Sequence, residues 1–153
     1  MESNNALDEL IDNLMQQAKI NLENDGQLVM CGFAIKEDTL KLVPEIPNGT
    51  KEMWSKLFNL ILKRMDADFG VIISEIWMVQ KQGSEIDEDS VQPKDDPENV
   101  DAIMITARDK HGKAKTKIQI FIKENKKITY GQLINMDEAC EVQNNLLWWP
   151  GRK

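Results

Sequence analysis

The chain of 153 residues has one histidine and two cysteines. His111 is alone, so no histidine pair exists for a zinc site, and it stands beside Gly112 in a turn rather than in a Ser-His-Asp setting. Cys31 and Cys140 are far apart and neither belongs to a Cys-x-x-Cys pair, which leaves zinc-ribbon and thioredoxin chemistry without a motif. Cys31 lies in an apolar run, where a small buried thiol is expected. Gly-x-Ser-x-Gly, His-Glu-x-x-His, the P-loop and the dinucleotide fingerprint are all missing. No apolar run approaches the roughly 20 residues of a membrane span. The opening Met1-Glu2-Ser3-Asn4-Asn5 has neither the basic start of a signal peptide nor the arginines of a transit peptide. These absences give the expectation of a cytoplasmic protein without cofactor, metal or membrane. Basic side chains are outnumbered 26 to 19, and a net charge of −7 repels phosphate backbones, which argues against nucleic acid as a partner.

What is present is a β-rich apolar core. Val71-Ile72-Ile73-Ser74-Glu75-Ile76-Trp77-Met78-Val79 is the most apolar stretch, opened by Gly70 and closed by Gln80-Lys81-Gln82-Gly83. Its apolar residues occupy both parities, so it reads as an inner strand covered on both faces. Before it, Leu7, Leu10, Ile11, Leu14, Met15, Ala18 and Leu22 recur at helical spacing over residues 7–24, with Asn4 or Asn5 as cap. Residues 28–35 and 40–43 form a hairpin about Lys36-Glu37-Asp38-Thr39. Pro44 and Pro47 push the second strand toward an edge. Trp54, Leu57, Phe58, Ile61, Leu62 and Met65 mark a second helix, capped by Thr50 or Asn48. Met53 and Leu60 widen its apolar face, as expected of a mostly buried helix.

Residues 81–99 are acidic, with Glu85, Asp87, Glu88, Asp89, Asp95, Asp96 and Glu98, and read as a long loop. They lack the glycine and terminal glutamate of a calcium loop. Residues 100–107 and 118–122 then make a hairpin about Arg108-Asp109-Lys110-His111-Gly112-Lys113. Ile118, Ile120 and Ile122 alternate with Lys117, Gln119 and Lys123, as in a half-exposed strand, although Phe121 stands on the lysine side. Ile128-Thr129-Tyr130 and Leu133-Ile134 suggest one more short strand before a tail over 135–153. The order α-β-β-α-β-β-β with short connections predicts one α+β domain over residues 1–153. It predicts a two-layer sandwich of an antiparallel sheet with both helices on one face.

Glu75 is the chemically odd residue, a carboxylate inside the most apolar strand. A raised pKa there would suit an acid catalyst, but an ion pair is the commoner origin, and Arg108 or Lys117 is the expected partner. Glu75 with Asp101 or Asp109 is the candidate catalytic pair for a small metal- or carboxylate-dependent hydrolase. A small-ligand sensor under the 81–99 loop is a further alternative, with Trp77 lining the cleft. Lysines 110, 113, 115, 117, 123, 126 and 127 make the last hairpin locally basic. Without an aromatic platform beyond Phe121 and Tyr130, that patch is a weak nucleic-acid signal. Trp77, Trp148 and Trp149 are the candidate binding residues, because adjacent tryptophans cannot both point inward on one element.

Ser74-Glu75-Ile76-Trp77-Met78-Val79, with Pro93, Asp96-Pro97-Glu98-Asn99-Val100-Asp101-Ala102-Ile103 and Arg108-Asp109-Lys110-His111-Gly112, resembles a pattern in small uncharacterised bacterial proteins. These carry a Ser-Glu-x-Trp strand, a proline-rich acidic loop and a strand ending in a charged Asp-x-x-Gly turn. The resemblance covers about residues 71–112 and implies no activity and no catalytic residues. The lysine-, asparagine- and isoleucine-rich composition suits a bacterial or phage genome. The leading expectation is a non-enzymatic binding or self-assembling module. Its candidate partner is a second copy or another protein, met through an exposed sheet edge or the tryptophan tail.

Overall fold

The computed structural model describes residues 2–46, 48–79, 99–136, 147 and 149. The acidic segment 81–98, Cys140, Trp148 and the side chain of Trp77 lie outside what is described. The elements are α1 (Glu2–Asp25), β1 (Cys31–Lys36), β2 (Thr39–Pro44), α2 (Lys51–Met65), β3 (Phe69–Val79), β4 (Asn99–Asp109), β5 (Ala114–Glu124) and β6 (Lys127–Met136). The six strands form one antiparallel sheet in the order β2-β1-β3-β4-β5-β6. The α+β class and the expected order hold, with β6 as the additional strand. Residues 128–130 and 133–134 belong to this single strand, joined across a bulge where Gln119 donates to the carbonyls of Gly131 and Gln132.

β3 is an inner strand, and both of its parities are buried. Val71 and Ile73 pack beneath Leu7, Ile11, Met15, Ala18 and Leu22 of α1, together with Ile103, Ile105, Ala107 and Phe121. Ile72 packs instead with Trp54, Phe58 and Leu62 of α2, with Ala34, Val43, Leu147 and Trp149. The two helices therefore lie on opposite faces, and the arrangement with both on one face is corrected. The reason is local on each side. On one face Gly32 and Gly70 leave room for α2: a Cβ on Gly32 would stand 2.9 Å from Phe58 Cε1 and from Trp54 Cζ2. On the other, Asp8 and Asp12 of α1 meet Lys115 and Lys117 of β5.

The same contact corrects the reading of β5. Its lysine side is covered as far as Phe121, since Lys117, Gln119 and Phe121 are all buried, and only the last three residues of the strand are exposed. Lys117 Nζ lies 2.6 Å from Asp12 and 3.1 Å from Asp8. Burial opposes the charge on Lys117, but its hydrogen bonds to the Asp12 and Asp8 carboxylates outweigh it and hold the ammonium above its ordinary pKa. Asp8 is correspondingly lowered, chiefly by its hydrogen bond from Lys115, against the opposing effect of burial.

α2 begins where Thr50 accepts the Met53 N–H at 3.0 Å, and it ends at Asp66 in the left-handed region. α1 starts at Glu2, so Asn4 and Asn5 sit inside it rather than capping it. The turns at one end of the sheet converge on Asp68. Its carboxylate accepts the Glu37 N–H at 2.9 Å, its own N–H donates to Ile35, and its carbonyl accepts from Lys110.

Candidate functional site

The three carboxylates proposed for chemistry do not come together. Glu75 stands opposite Ile103 and Trp77 opposite Asp101, so Glu75 and Asp101 share one face of adjacent strands. No hydrogen bond joins them among the described residues. Glu75 Oε1 instead accepts the Leu28 N–H at 2.9 Å, tying the chain between α1 and β1 to the sheet. Arg108 faces the opposite side of the sheet and Lys117 is taken by Asp8 and Asp12, so neither expected ion pair forms. Asp109 is six residues beyond Ile103 on β4, roughly 20 Å from Glu75 at strand spacing. Its Oδ1 accepts from the N–H groups of His111 and Lys113 at 2.9 and 3.0 Å, which makes it the organiser of the β4–β5 turn. His111 is an exposed turn residue, and Gly112 supplies the positive φ of +90°. Among the described residues no three His, Cys, Asp or Glu side chains converge as a metal site.

The tail folds back at its described positions. Trp149 is only 5% exposed. Its N–H donates to Asn59 Oδ1 at 2.8 Å, and Arg108 Nη1 donates to the carbonyl of Leu147 at 2.8 Å. Burial lowers the Arg108 pKa from its ordinary value. Asn59 and Arg108 thus hold the tail against α2 and the sheet, and Trp149 is part of the α2 core cluster. Cys31 is half-buried, and burial raises its thiol pKa.

Three of the hairpin lysines, Lys110, Lys115 and Lys117, are paired with carboxylates within the molecule. Lys110 pairs with Asp68 at 3.3 Å, Lys115 with Asp8 at 2.8 Å, and Lys123 donates to the Gly26 carbonyl. Tyr130 closes the same face. Its hydroxyl donates to Glu23 at 2.9 Å, and Lys19 Nζ sits 4.7 Å from the ring centre. Burial first, and then the hydrogen bond to Glu23, push its pKa up to about 12. The chain has a single tyrosine, so alkaline ultraviolet titration reports this group alone. The midpoint is expected near 12, and Glu23→Gln should lower it toward the ordinary value of about 10. A raised phenol pKa favours the fold fully below about pH 10, and that contribution drains away as pH climbs through the folded value. A wild-type midpoint near that ordinary value would contradict this contact.

Exposed large apolar side chains occur on α1, β5 and β6 as well as on α2 and β2, and those of α2 and β2 lie near one edge of the sheet but on its two faces. Met53, Leu57 and Leu60 are 55%, 40% and 45% exposed at spacings of four and three on α2. Leu40 and Leu42 of the edge strand β2 are each 51% exposed. Trp54 Nε1 donates to the carbonyls of Val43 and Pro44, which places the start of α2 directly over the end of β2. The wide apolar face of α2 is therefore only partly buried: Trp54, Phe58 and Leu62 take the sheet, and the widening residues face water. This surface was not singled out from sequence, where exposure and burial of a wide stripe look alike.

No family model matches the chain, and no match was found among curated proteins or solved structures.

Proposed function

We propose that this chain is a protein-interaction module that self-associates through the side formed by β2 and the outer stripe of α2. The observation that carries the reading is the open edge strand β2, with Leu40 and Leu42 half-exposed on one face of the sheet and the exposed Met53, Leu57 and Leu60 of α2 above the other. Single exposed leucines are ordinary on a protein surface, but leucines exposed along an unpaired strand edge are what a second strand can cover. The tail is not needed for this reading, because Trp149 is already covered. No helix among the described residues is long and apolar enough to cross a membrane, and the free thiol of Cys31 suits a reducing compartment. The proposal takes the cytoplasm as its setting and a second copy as its first partner.

Sedimentation equilibrium tests it. The mass is expected to rise above 17.6 kDa across the micromolar range, and a Leu42→Lys/Leu57→Lys double variant should stay at that mass while remaining folded. A wild-type protein that stays at 17.6 kDa throughout would overturn self-association.

A further inference from the structure

We infer that β2 pairs antiparallel with β2 of a second copy about a two-fold axis through Leu42, joining two six-stranded sheets into one. This rests on the self-association reading above and adds the register. The two-residue turn Glu37-Asp38 makes Lys36 and Thr39 a hydrogen-bonded pair of the hairpin. Alternation then aims the backbone groups of Thr39, Lys41 and Val43 at β1 and those of Leu40 and Leu42 at the open edge. Pro44 falls on the outward parity, the place where a strand loses nothing internally by having no N–H.

Two registers centre on the middle of the strand, at Lys41 and at Leu42. Centring the pair on Lys41 sets two ammonium groups directly opposite each other, which is destabilising. Centring it on Leu42 sets Leu42 against its copy, Leu40 against Pro44, and Lys41 against Val43, with Glu45 diagonal to Lys41. Lys41 and Glu45 are both exposed, so each copy offers a cation to the other's carboxylate on one side of the seam. On the other side Leu40 and Leu42 continue the apolar surface of Ile35 and Phe33, their partners in β1. The leucine register thus gives Leu42 and its mate two reciprocal hydrogen bonds and each Leu40 N–H a Pro44 carbonyl, leaving only the Leu40 carbonyl without a ladder donor because Pro44 has no N–H, and it covers the half-exposed leucines and pairs charges of opposite sign.

α2 supports the same axis. Its flank toward β3 and β4 is occupied by Leu147 and Trp149, which reach Gly70, Arg108 and Asn59. The flank bearing Leu57 and the partly buried Ile61 lies on the other, β2 side, where a second α2 would stand across the axis.

The test uses the full chain with Cys31 and Cys140 changed to serine and one new cysteine. Residues facing each other in a hydrogen-bonded antiparallel pair have Cα atoms about 5.5 Å apart, within disulfide reach. On mild oxidation Leu42→Cys should form a covalent dimer, and Leu40→Cys, which faces Pro44, should not. In the wild-type background Lys41→Glu should raise the dimer dissociation constant roughly three- to tenfold, and adding Glu45→Lys should restore it. A protein that dimerises but cross-links through Leu40→Cys rather than Leu42→Cys, or whose charge swap gives no recovery, overturns this register and leaves self-association standing. A protein that never dimerises overturns both.

Discussion

Gly32→Val is expected to destabilise the protein by about 3 kcal/mol and to lower Tm by roughly 10 °C. The sign runs against strand propensity, since valine is favoured and glycine disfavoured in β-structure. Packing decides it. The first side-chain atom at position 32 would lie 2.9 Å from both Phe58 and Trp54, well inside contact distance. Those two rings stack on each other with centres 5.0 Å apart, and Trp54 is further held by its hydrogen bond to the Pro44 carbonyl at 3.0 Å. Neither ring can step aside without giving up a contact of its own, so α2 must lift from β1. Gly32→Ala should cost less and keep the order. Thermal and denaturant unfolding of the pair measure this, and a valine variant as stable as wild type would mean that α2 does not sit on β1.

A larger effect is expected from two neighbours on β3. Ile72→Ala and Ile73→Ala should each cost about 2–5 kcal/mol, the range for truncating an isoleucine that leaves a cavity. The two residues are adjacent and of one type, yet they point to opposite faces, Ile72 beneath α2 and Ile73 beneath α1. Both are essentially excluded from water, at 0% and 4% exposure. In a sheet with helices on one face only, one of the two would point to solvent and its loss would cost about 0.5 kcal/mol or less. Comparable losses at both positions are the signature of a sheet covered on both sides.

That pair also shows where the sequence was informative. Both parities of residues 71–79 are apolar, and this alone demands cover on two faces. Short connections point the other way, toward helices on one side, and they are the weaker argument. β2 and β3 are both antiparallel to β1 and hence parallel to each other, so α2 lies in a crossover whose preferred hand selects its face. α1 precedes every strand and is under no such rule. Its face is set by packing and by Asp8 and Asp12 finding Lys115 and Lys117. For β5 the legible clue was Phe121, an aromatic on the lysine side that water alone would not explain. It lies 1% exposed in the α1 core.

The candidate chemistry was less legible, for a physical reason. Glu75 does find a donor, but the donor is the backbone N–H of Leu28, and backbone groups carry no side-chain signature. Arg108 was likewise read as a partner for a carboxylate and instead serves the carbonyls of the tail. The apolar stripe of α2 was visible as Met53 and Leu60, but spacing reports a face and not what lies against it.

The most direct test of the open edge is residue-resolved amide exchange in β2 as a function of protein concentration. The N–H groups of Lys41 and Val43, turned toward β1, should exchange slowly at every concentration. Those of Leu40 and Leu42 should exchange fast when dilute and slow together as concentration rises. Fast exchange at Leu40 and Leu42 at all concentrations would contradict the account, because the edge would then have no strand to receive.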